Sequence, residues 1–228
     1  MRHIRAVLFD AGGTLIHLDG ERVSRAADLA YEAAVFRRAH AAALDEVRRW
    51  ILANPQSVDA ERLPRFFETI LARLGVREED LARAAGAATA EHHRSNLWSR
   101  GADDAAATLA TLRSRGYRLA VVSNADGRVR ALLQGAGLAD YFEFVVDSAE
   151  LGVEKPDPRI FHAATGRLEL PPAACAYVGD IYEIDVLGAR AAGLTPILIS
   201  NGEAPDGIAR ISALSELLGL FPGTRSPD

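Results

Sequence analysis

Asp10 is the first of several polar residues that follow apolar runs and could take part in a reaction. The apolar residues 7–9 lead into it, and Gly12 and Gly13 allow the chain to turn tightly around its carboxylate. A carboxylate presented in this way could attack phosphorus and form an acyl phosphate. Taken alone, the same residue could equally cap a turn at the end of a strand.

Ser123 and Asn124 follow a second apolar run. Both side chains could bind a phosphate oxygen, and a helix predicted to start near Ala125 would add main-chain N–H donors and a favourable dipole. Serine and asparagine are also common helix caps. This pair is therefore informative only together with the other segments.

Lys155 is the only lysine among 26 basic residues, the other 25 being arginine. Asp157 is suited to an N-cap and Pro158 to the first position of a helix, which would fix Lys155 just before that helix. Its ammonium could neutralise both Asp10 and a transferring phosphoryl group. A single lysine is usually a solvated surface residue, but the arginines elsewhere favour a specific need for a compact point charge here.

Asp180 and Asp185 lie at and after the end of another apolar run, residues 174–178. Two carboxylates so close along the chain need a compensating cation. Mg²⁺ is held by a few carboxylate oxygens together with water and substrate phosphate, so we expect Asp10 and Asp180 to form a Mg²⁺ site. Asp185 could ligate the ion through water, hold Lys155, or cap the following helix.

These residues need a scaffold that brings them to one place, and the hydrophobic pattern predicts it. Five apolar runs, residues 5–9, 117–122, 142–146, 174–178 and 195–200, are typical of buried parallel strands. Helices are predicted over residues 104–115, 125–136, 158–166 and 185–192. This alternation predicts an α/β fold with a doubly wound parallel sheet, whose ligands bind beyond the carboxyl ends of the strands.

Residues 16–98 interrupt the alternation, because they lack apolar runs of strand type and are rich in alanine, leucine, arginine and glutamate. We expect an all-helical cap domain over 16–98, inserted into a core domain made of 1–15 and 99–228. Within it, Phe66, Phe67, Ile70, Leu71 and Leu74 recur at helical spacing. Pro64 is expected near the start of that helix.

Composition narrows the classes of partner. The formal net charge is -5 and the pI is near 5.7, which gives no reason to expect nucleic acid or an acidic membrane surface as a partner. No stretch reaches the roughly 18 apolar residues of a membrane span, and the first ten residues lack signal-peptide architecture. We expect a cytoplasmic protein with a small-molecule partner; the sequence does not indicate an oligomeric state.

Taken in order, the four segments resemble the motifs of the haloacid dehalogenase superfamily. Those motifs are a nucleophilic aspartate, a serine or threonine, a lysine, and Gly-Asp followed by a later acid. The resemblance covers the whole chain, and residues 118–127, 155–161 and 179–193 are most similar to the branch of haloacid dehalogenase-like hydrolase domain-containing phosphatases. It implies a Rossmann-like core with a helical cap, and a Mg²⁺-dependent phosphatase that acts on a small phosphorylated metabolite through an aspartyl phosphate on Asp10.

The chain departs from the family pattern at Gly12, where phosphatases of the family usually have an aspartate that serves as acid and base. The main-chain carbonyl of Gly12 can still bind the metal, but no side chain can transfer a proton. General acid–base catalysis contributes about 10²- to 10⁴-fold. Turnover could therefore be slow, and a phosphate-binding or regulatory protein with little turnover is the alternative. Candidates to replace the acid are His17, Glu183, His92 and His93.

Two other activities of the superfamily fit less well. Dehalogenases resemble this chain in lacking the second aspartate, but their fourth motif lacks the Gly-Asp that Asp180 preserves. Phosphonate-cleaving members need a cap lysine, and this chain has no lysine outside position 155.

Overall fold

The computed structural model describes residues 3–202 and 207–223, so the end of the predicted core domain at 224–228 lies outside the described part. The chain divides into two compact units: Met1–His17 with Arg100–Asp228, and Leu18–Ser99. Within the described ranges, no helix combines the length and the apolar character that a membrane span requires.

The first unit is built on a parallel sheet of six strands in the order β5-β4-β1-β6-β7-β8. In chain order the strands are β1 (Ala6–Phe9), β2 (Ile16–Leu18), β3 (Trp98–Gly101), β4 (Arg118–Ser123), β5 (Val145–Asp147), β6 (Cys175–Gly179), β7 (Thr195–Ile199) and β8 (Ala209–Ile211), of which β2 and β3 pair separately. The predicted parallel α/β fold is confirmed.

Helices connect these strands. They are α1 (Gly20–Ala26), α2 (Ala33–Ala53), α3 (Asp59–Arg73), α4 (Glu78–Arg94), α5 (Ala105–Ser114), α6 (Val129–Gly135), α7 (Ser148–Leu151), α8 (Pro158–Arg167), α9 (Leu187–Ala191) and α10 (Leu217–Leu220). Single 3₁₀ turns cover Ala139–Tyr141, Pro172–Ala174 and Leu214–Glu216, and a π-type turn covers Tyr182–Val186.

The order of the strands determines where ligands can bind. The chain begins with β1 in the middle of the sheet, adds β4 and β5 on one side, and then crosses over to β6, β7 and β8 on the other. The order therefore reverses around β1, and in open α/β sheets the crevice at such a reversal is the usual ligand site. Asp10 follows β1 directly, at this crevice.

Burial on both faces of the sheet explains why these apolar runs form strands. All four residues of β1 and all five of β6 are buried. Alternate residues of the central strands, among them Leu8, Val122 and Tyr177, share one hydrophobic cluster with Phe161 of α8. The Phe161 ring packs edge-on against the Tyr177 ring, with centroids 4.9 Å apart.

Three short strands differ from the expectation. The first residues of the segment predicted as helical throughout form β2, its last residue Trp98 belongs to β3, and β8 was not predicted. β3 contains Ser99 and Arg100 and is only partly buried, so it lacks the apolar run that identifies a core strand. β8 has only three residues, too few to show a pattern.

Two predicted helices also begin elsewhere. The helix expected over 125–136 starts at Val129, because the residues before it form a loop. The helix expected over 185–192 is divided into the π-type turn Tyr182–Val186 and α9.

The second unit contains α1 to α4. Of the residues predicted to share one face of α3, Phe66, Phe67, Ile70 and Leu71 are buried, whereas Leu74 is half-buried and is the C-cap that follows this helix. Pro64 lies inside α3 rather than near its start, because the helix begins at Asp59. The N-terminus of α3 is capped by Glu61, whose carboxylate accepts a hydrogen bond from the main-chain N–H of Val58.

Candidate active site

Asp10 is fixed at the end of β1 by main-chain and side-chain hydrogen bonds. Its N–H donates to the carbonyl of Val178 in β6 at 2.8 Å. Its Oδ1 accepts from Ser123 Oγ at 3.1 Å and from Lys155 Nζ at 2.7 Å. The residue is 7% exposed. The structure thus brings Asp10 together with Ser123 and Lys155, which lie 113 and 145 positions away in the sequence.

Lys155 is a buried cation between two carboxylates. Besides Asp10 Oδ1, its Nζ donates to Asp185 Oδ1 at 2.8 Å and to Tyr177 Oη at 2.9 Å. Only 2% of the residue is exposed. The single lysine of the chain therefore lies where a compact positive charge compensates buried negative ones, and not on the solvated surface.

Two local features hold the main chain at Lys155. The side-chain amide of Asn124 accepts from the Lys155 N–H at 2.7 Å and donates to its carbonyl at 3.0 Å. On the other side, Asp157 caps α8 by accepting from the N–H of Arg159 at 2.9 Å, and Pro158 is the first helical residue, as predicted.

The predicted phosphate donors after β4 are arranged differently from the expectation. The side-chain amide of Asn124 hydrogen-bonds to the main chain of Lys155. Binding of phosphate by this side chain stays a prediction, and it would compete with these hydrogen bonds. The N–H of Ala125 donates to Ser148 Oγ and that of Gly127 to Asp147 Oδ2, both at 3.0 Å. These amides therefore stabilise the loop before α6, and the helix start expected near Ala125 is wrong.

Burial and neighbouring charges shift the protonation equilibria of the site. The pKa of Asp10 is raised to about 6, chiefly because burial disfavours the charged carboxylate; the attraction of Lys155 opposes this rise and the repulsion of Asp185 adds to it. Burial alone would lower the pKa of Lys155, but the attraction of Asp10 and Asp185 outweighs it and raises that pKa well above its usual value. Lys155 therefore stays an ammonium at neutral pH.

A carboxylate cluster suited to a divalent cation lies at the same place. Asp10, Asp180 and Asp185 each offer an oxygen, and these oxygens lie within 4.8 Å of one another. Close approach of the backbone makes room for the cluster: a Cβ atom at Gly13, whose φ is +77°, would overlap Asp180, and one at Gly179 would overlap Asp185. Oxygen donors gathered in this way fit a hard ion such as Mg²⁺.

Asp185 makes one of the contacts that its position suggested, the one with Lys155, and it does not cap the following helix. Its Oδ1 accepts from Lys155, and its Oδ2 accepts from the N–H of Ile181 at 2.9 Å. The contact with Lys155 is direct, so a further role of Asp185 as a metal ligand would have to use oxygens that already accept hydrogen bonds. The Gly12 carbonyl as a ligand stays a prediction.

The candidates for the missing acid have different surroundings. His17 is exposed on β2, and the charged groups that act on it are Asp103, Asp104 and Arg100. Glu183 lies in the π-type turn between Asp180 and Asp185, and its Oε2 is buried with no hydrogen-bond partner in the described part of the chain.

The two histidines of the pair in α4 have different environments within their own unit. His92 is buried, its Nδ1 accepts from the N–H of Leu97 at 3.4 Å, and its ring packs edge-on against Trp98. His93 is exposed. The contacts of His92 are those of a packing residue.

Sequence reasoning missed Tyr177 as part of the site. It interrupts an apolar strand, is 1% exposed, and its hydroxyl contacts Lys155, Asp185 and the carbonyl of Val122. A tyrosine within a run predicted to be a buried strand was the available signal, because the hydroxyl of a buried tyrosine usually has a hydrogen-bond partner.

Comparison with known proteins agrees with this geometry. Residues 4–193 match the family described as haloacid dehalogenase-like hydrolase. The chain belongs to the haloacid dehalogenase-like hydrolases. The predicted resemblance is therefore confirmed at the level of the family, and with it the Rossmann-like character of the sheet.

Individual members of the family differ in how much of the chain they match. Haloacid dehalogenase-like hydrolase domain-containing protein 3 of Bos taurus is 44% identical over 114 residues, which are 50% of this chain and 45% of that protein. The chain thus matches less than half the length of this relative. Phosphatase MT3486 of Mycobacterium tuberculosis is 30% identical over 229 residues, 94% of this chain and 97% of that protein.

A solved structure of a protein named as a dehalogenase is also similar. The 2-haloacid dehalogenase of Pseudomonas syringae pv. Tomato has a TM-score of 0.58 and 25% identity, and the match covers 95% of this chain and 97% of that chain. Phosphatases and dehalogenases thus share the fold, so the residues of the site must distinguish between the two activities.

Proposed function

We propose that this chain is a Mg²⁺-dependent phosphatase that hydrolyses a small phosphorylated metabolite through an aspartyl phosphate on Asp10. The observation that carries the proposal is the cluster of Asp10, Asp180 and Asp185, with oxygens within 4.8 Å, beside the buried ammonium of Lys155. Three carboxylates and one ammonium leave an excess of negative charge, which a divalent cation would offset. The full-length similarity to a protein named as a phosphatase supports it.

In the proposed first step, Asp10 attacks the phosphorus of the substrate. Because Oδ1 accepts from Ser123 and Lys155, Oδ2 is the oxygen that we assign to the attack. A bond forms between this oxygen and phosphorus while the bond from phosphorus to the substrate oxygen breaks, and the departing alkoxide or aryloxide takes a proton from solvent. Bound Mg²⁺, held by Asp10 and Asp180, would neutralise phosphoryl charge.

In the second step, water attacks the phosphorus of the aspartyl phosphate, which releases inorganic phosphate and restores the Asp10 carboxylate. Lys155 and Ser123 keep the carboxylate oriented as the negative charge returns to it. This step needs a base for the water, and Gly12 supplies no side chain for it. We therefore expect clearing of the intermediate to be slower than its formation.

The test is phosphate release from p-nitrophenyl phosphate with and without Mg²⁺. We expect Mg²⁺-dependent release in the wild type, loss of release in Asp10→Asn, and an unchanged rate in Asp140→Asn, an exposed aspartate used as the matched control. An undiminished rate in Asp10→Asn would contradict the proposal. Incubation with a 2-haloacid tests the dehalogenase alternative, which predicts halide release in place of phosphate release.

The absence of a side chain at Gly12 favours one second candidate, a phosphate-binding or regulatory protein with little turnover. Such a protein would release at most one equivalent of phosphate, or only bind it in a Mg²⁺-dependent way. Comparison of the first-turnover amplitude with the steady rate separates this candidate from an efficient phosphatase.

A further inference from the structure

The Lys155 ammonium has no spare donor. A lysine side chain has three N–H bonds, and here each has an acceptor: Asp10 Oδ1 at 2.7 Å, Asp185 Oδ1 at 2.8 Å and Tyr177 Oη at 2.9 Å. The first two acceptors are charged and the third is a neutral phenol. The directions of all three N–H bonds are therefore set by groups of the protein.

The phenol oxygen of Tyr177 is itself held in place. Its oxygen lies 2.8 Å from the carbonyl oxygen of Val122, next to the end of β4, and 3.3 Å from Asp185 Oδ1, so its single O–H donates to the nearer acceptor, the Val122 carbonyl. The ring packs edge-on against Phe161 and is almost fully buried. Tyr177 Oη thus faces Lys155 as an acceptor on a rigid strand and cannot follow the ammonium if it turns.

We propose that Tyr177 is a positioning residue for the reaction: its oxygen accepts a hydrogen bond from one N–H of Lys155 and thereby directs the other two N–H groups to Asp10 and Asp185. The inference rests on the proposed function in one respect, the assignment of Asp10 as the nucleophile. Without the phenol oxygen, one ammonium N–H would be buried without an acceptor, and the ammonium would reorient to recover one. Asp10 would then lose the fixed orientation from which it attacks.

Kinetics of Tyr177→Phe test this role, because the change removes one oxygen and keeps the ring that packs on Phe161. We expect kcat to fall about tenfold or more, the effect of one hydrogen bond to a charged group, while KM changes by less than about twofold. Tyr117→Phe is the matched control: this tyrosine is also buried, with its ring edge-on to Phe221. A kcat of Tyr177→Phe that equals the control, or a change confined to KM, would overturn the proposal.

A second measurement uses the single lysine of the chain and requires no turnover. Protein labelled with [¹⁵Nζ]lysine gives one ammonium signal, that of Lys155. We expect this signal to be protected from solvent exchange in the wild type, to show a nuclear Overhauser effect to the Tyr177 ring, and to shift or broaden in Tyr177→Phe but not in Tyr117→Phe. Absence of the Overhauser effect, or an unshifted signal in Tyr177→Phe, refutes the proposal even if no turnover of that variant can be measured.

The two measurements separate the failure of this inference from that of the proposed function. If no substrate is hydrolysed but the ammonium signal responds to Tyr177→Phe, the positioning of Lys155 stands and the phosphatase proposal fails. If Asp10-dependent hydrolysis is present and neither kcat nor the signal responds, the phosphatase proposal stands and the role of Tyr177 is refuted. The Overhauser effect is measured on the wild type, so its absence refutes the proposal even if Tyr177→Phe does not fold.

Discussion

The side-chain amide of Asn124 bridges the main chain of Lys155, accepting from its N–H at 2.7 Å and donating to its carbonyl at 3.0 Å. The two residues follow β4 and precede α8, so this bridge links two loops at the carboxyl edge of the sheet. Because the Lys155 ammonium must reach both Asp10 and Asp185, the position of its main chain decides whether it can do so.

Asn124→Ala is expected to weaken both folding and catalysis, because it removes both hydrogen bonds of this bridge. The free energy of unfolding should fall by about 1–3 kcal/mol, and kcat should fall as Lys155 loses its fixed position. Urea unfolding and steady-state kinetics measure the two effects. Asn54→Ala is the control, since that amide makes one exposed hydrogen bond to the carbonyl of Trp50. An Asn124→Ala variant as stable and active as this control would contradict the prediction.

Gly13→Ala is expected to reduce the affinity for Mg²⁺, because the new Cβ atom would overlap Asp180 Oδ2. Asp180 would have to move away from the carboxylate cluster, and the dissociation constant for Mg²⁺ measured by calorimetry should rise at least about tenfold, which corresponds to 1.4 kcal/mol. The matched control is Gly137→Ala. Gly137 has a similar φ, +70°, but no atom lies within 4 Å of its Cβ position.

The comparison of the two alanine variants separates backbone strain from the local overlap. Both variants force an L-residue into the left-handed region and should lose similar stability for that reason. Only Gly13→Ala should lose affinity for Mg²⁺. If the two variants bind Mg²⁺ with equal affinity, Asp180 is not a ligand whose position depends on the close approach of Gly13.

The sequence was sufficient to predict the parts of the molecule that depend on local patterns. The apolar runs predicted the five main strands, and the alternation with helices predicted the parallel sheet, because buried parallel strands need continuous apolar residues. Asp157 and Pro158 likewise predicted the start of α8, since both act through the first turn of the helix alone.

Contacts between distant segments could not be predicted in this way. The partner of Asn124 lies 31 positions away and that of Tyr177 lies 22 positions away, and the propensity of neither residue indicates which of many groups it will contact. The loop before α6 shows the same limit. The side chains of Asp147 and Ser148 accept hydrogen bonds from the N–H groups of Gly127 and Ala125. These tertiary contacts override the local helical pattern of residues 125–128.

The raised pKa of Asp10 predicts a pH-dependent term in the stability of the metal-free protein. Burial raises this pKa from 3.8 to about 6, so the folded protein holds the proton more tightly than the unfolded chain. The stabilisation is fully present below pH 3.8 and is lost as the pH rises through about 6. Its size, roughly 2 pH units at 1.36 kcal/mol each, is on the order of 3 kcal/mol.

Urea unfolding in the presence of a chelator, at intervals from pH 4 to pH 7, measures this term. The difference in free energy of unfolding between wild type and Asp10→Asn should fall as the pH rises, because the variant has no titrating group at this position. Asp140→Asn, a change at an exposed aspartate, should show the same dependence of the free energy of unfolding on pH as the wild type. A difference that is constant over this range would show that Asp10 is already ionised at pH 4.

Gly12→Asp tests whether an acid–base side chain at this position speeds up turnover. Of the two neighbouring glycines, Gly13 has a positive φ and Gly12 does not, so the backbone at Gly12 can accept an L-residue without left-handed strain. A carboxylate at this position could protonate the leaving group and then activate the water that clears the aspartyl phosphate. We expect the steady rate to rise, within the about 10²- to 10⁴-fold range of general acid–base catalysis.

Gly12→Asn is the control for this change, because it adds a side chain of the same size that cannot exchange a proton. If clearing of the intermediate limits the wild type, Gly12→Asp should remove the burst of the first turnover and Gly12→Asn should not. A wild type that already turns over fast, with no burst and no gain from Gly12→Asp, would show that another group supplies the proton. Glu183, in the turn between Asp180 and Asp185, would then be the first residue to replace by glutamine.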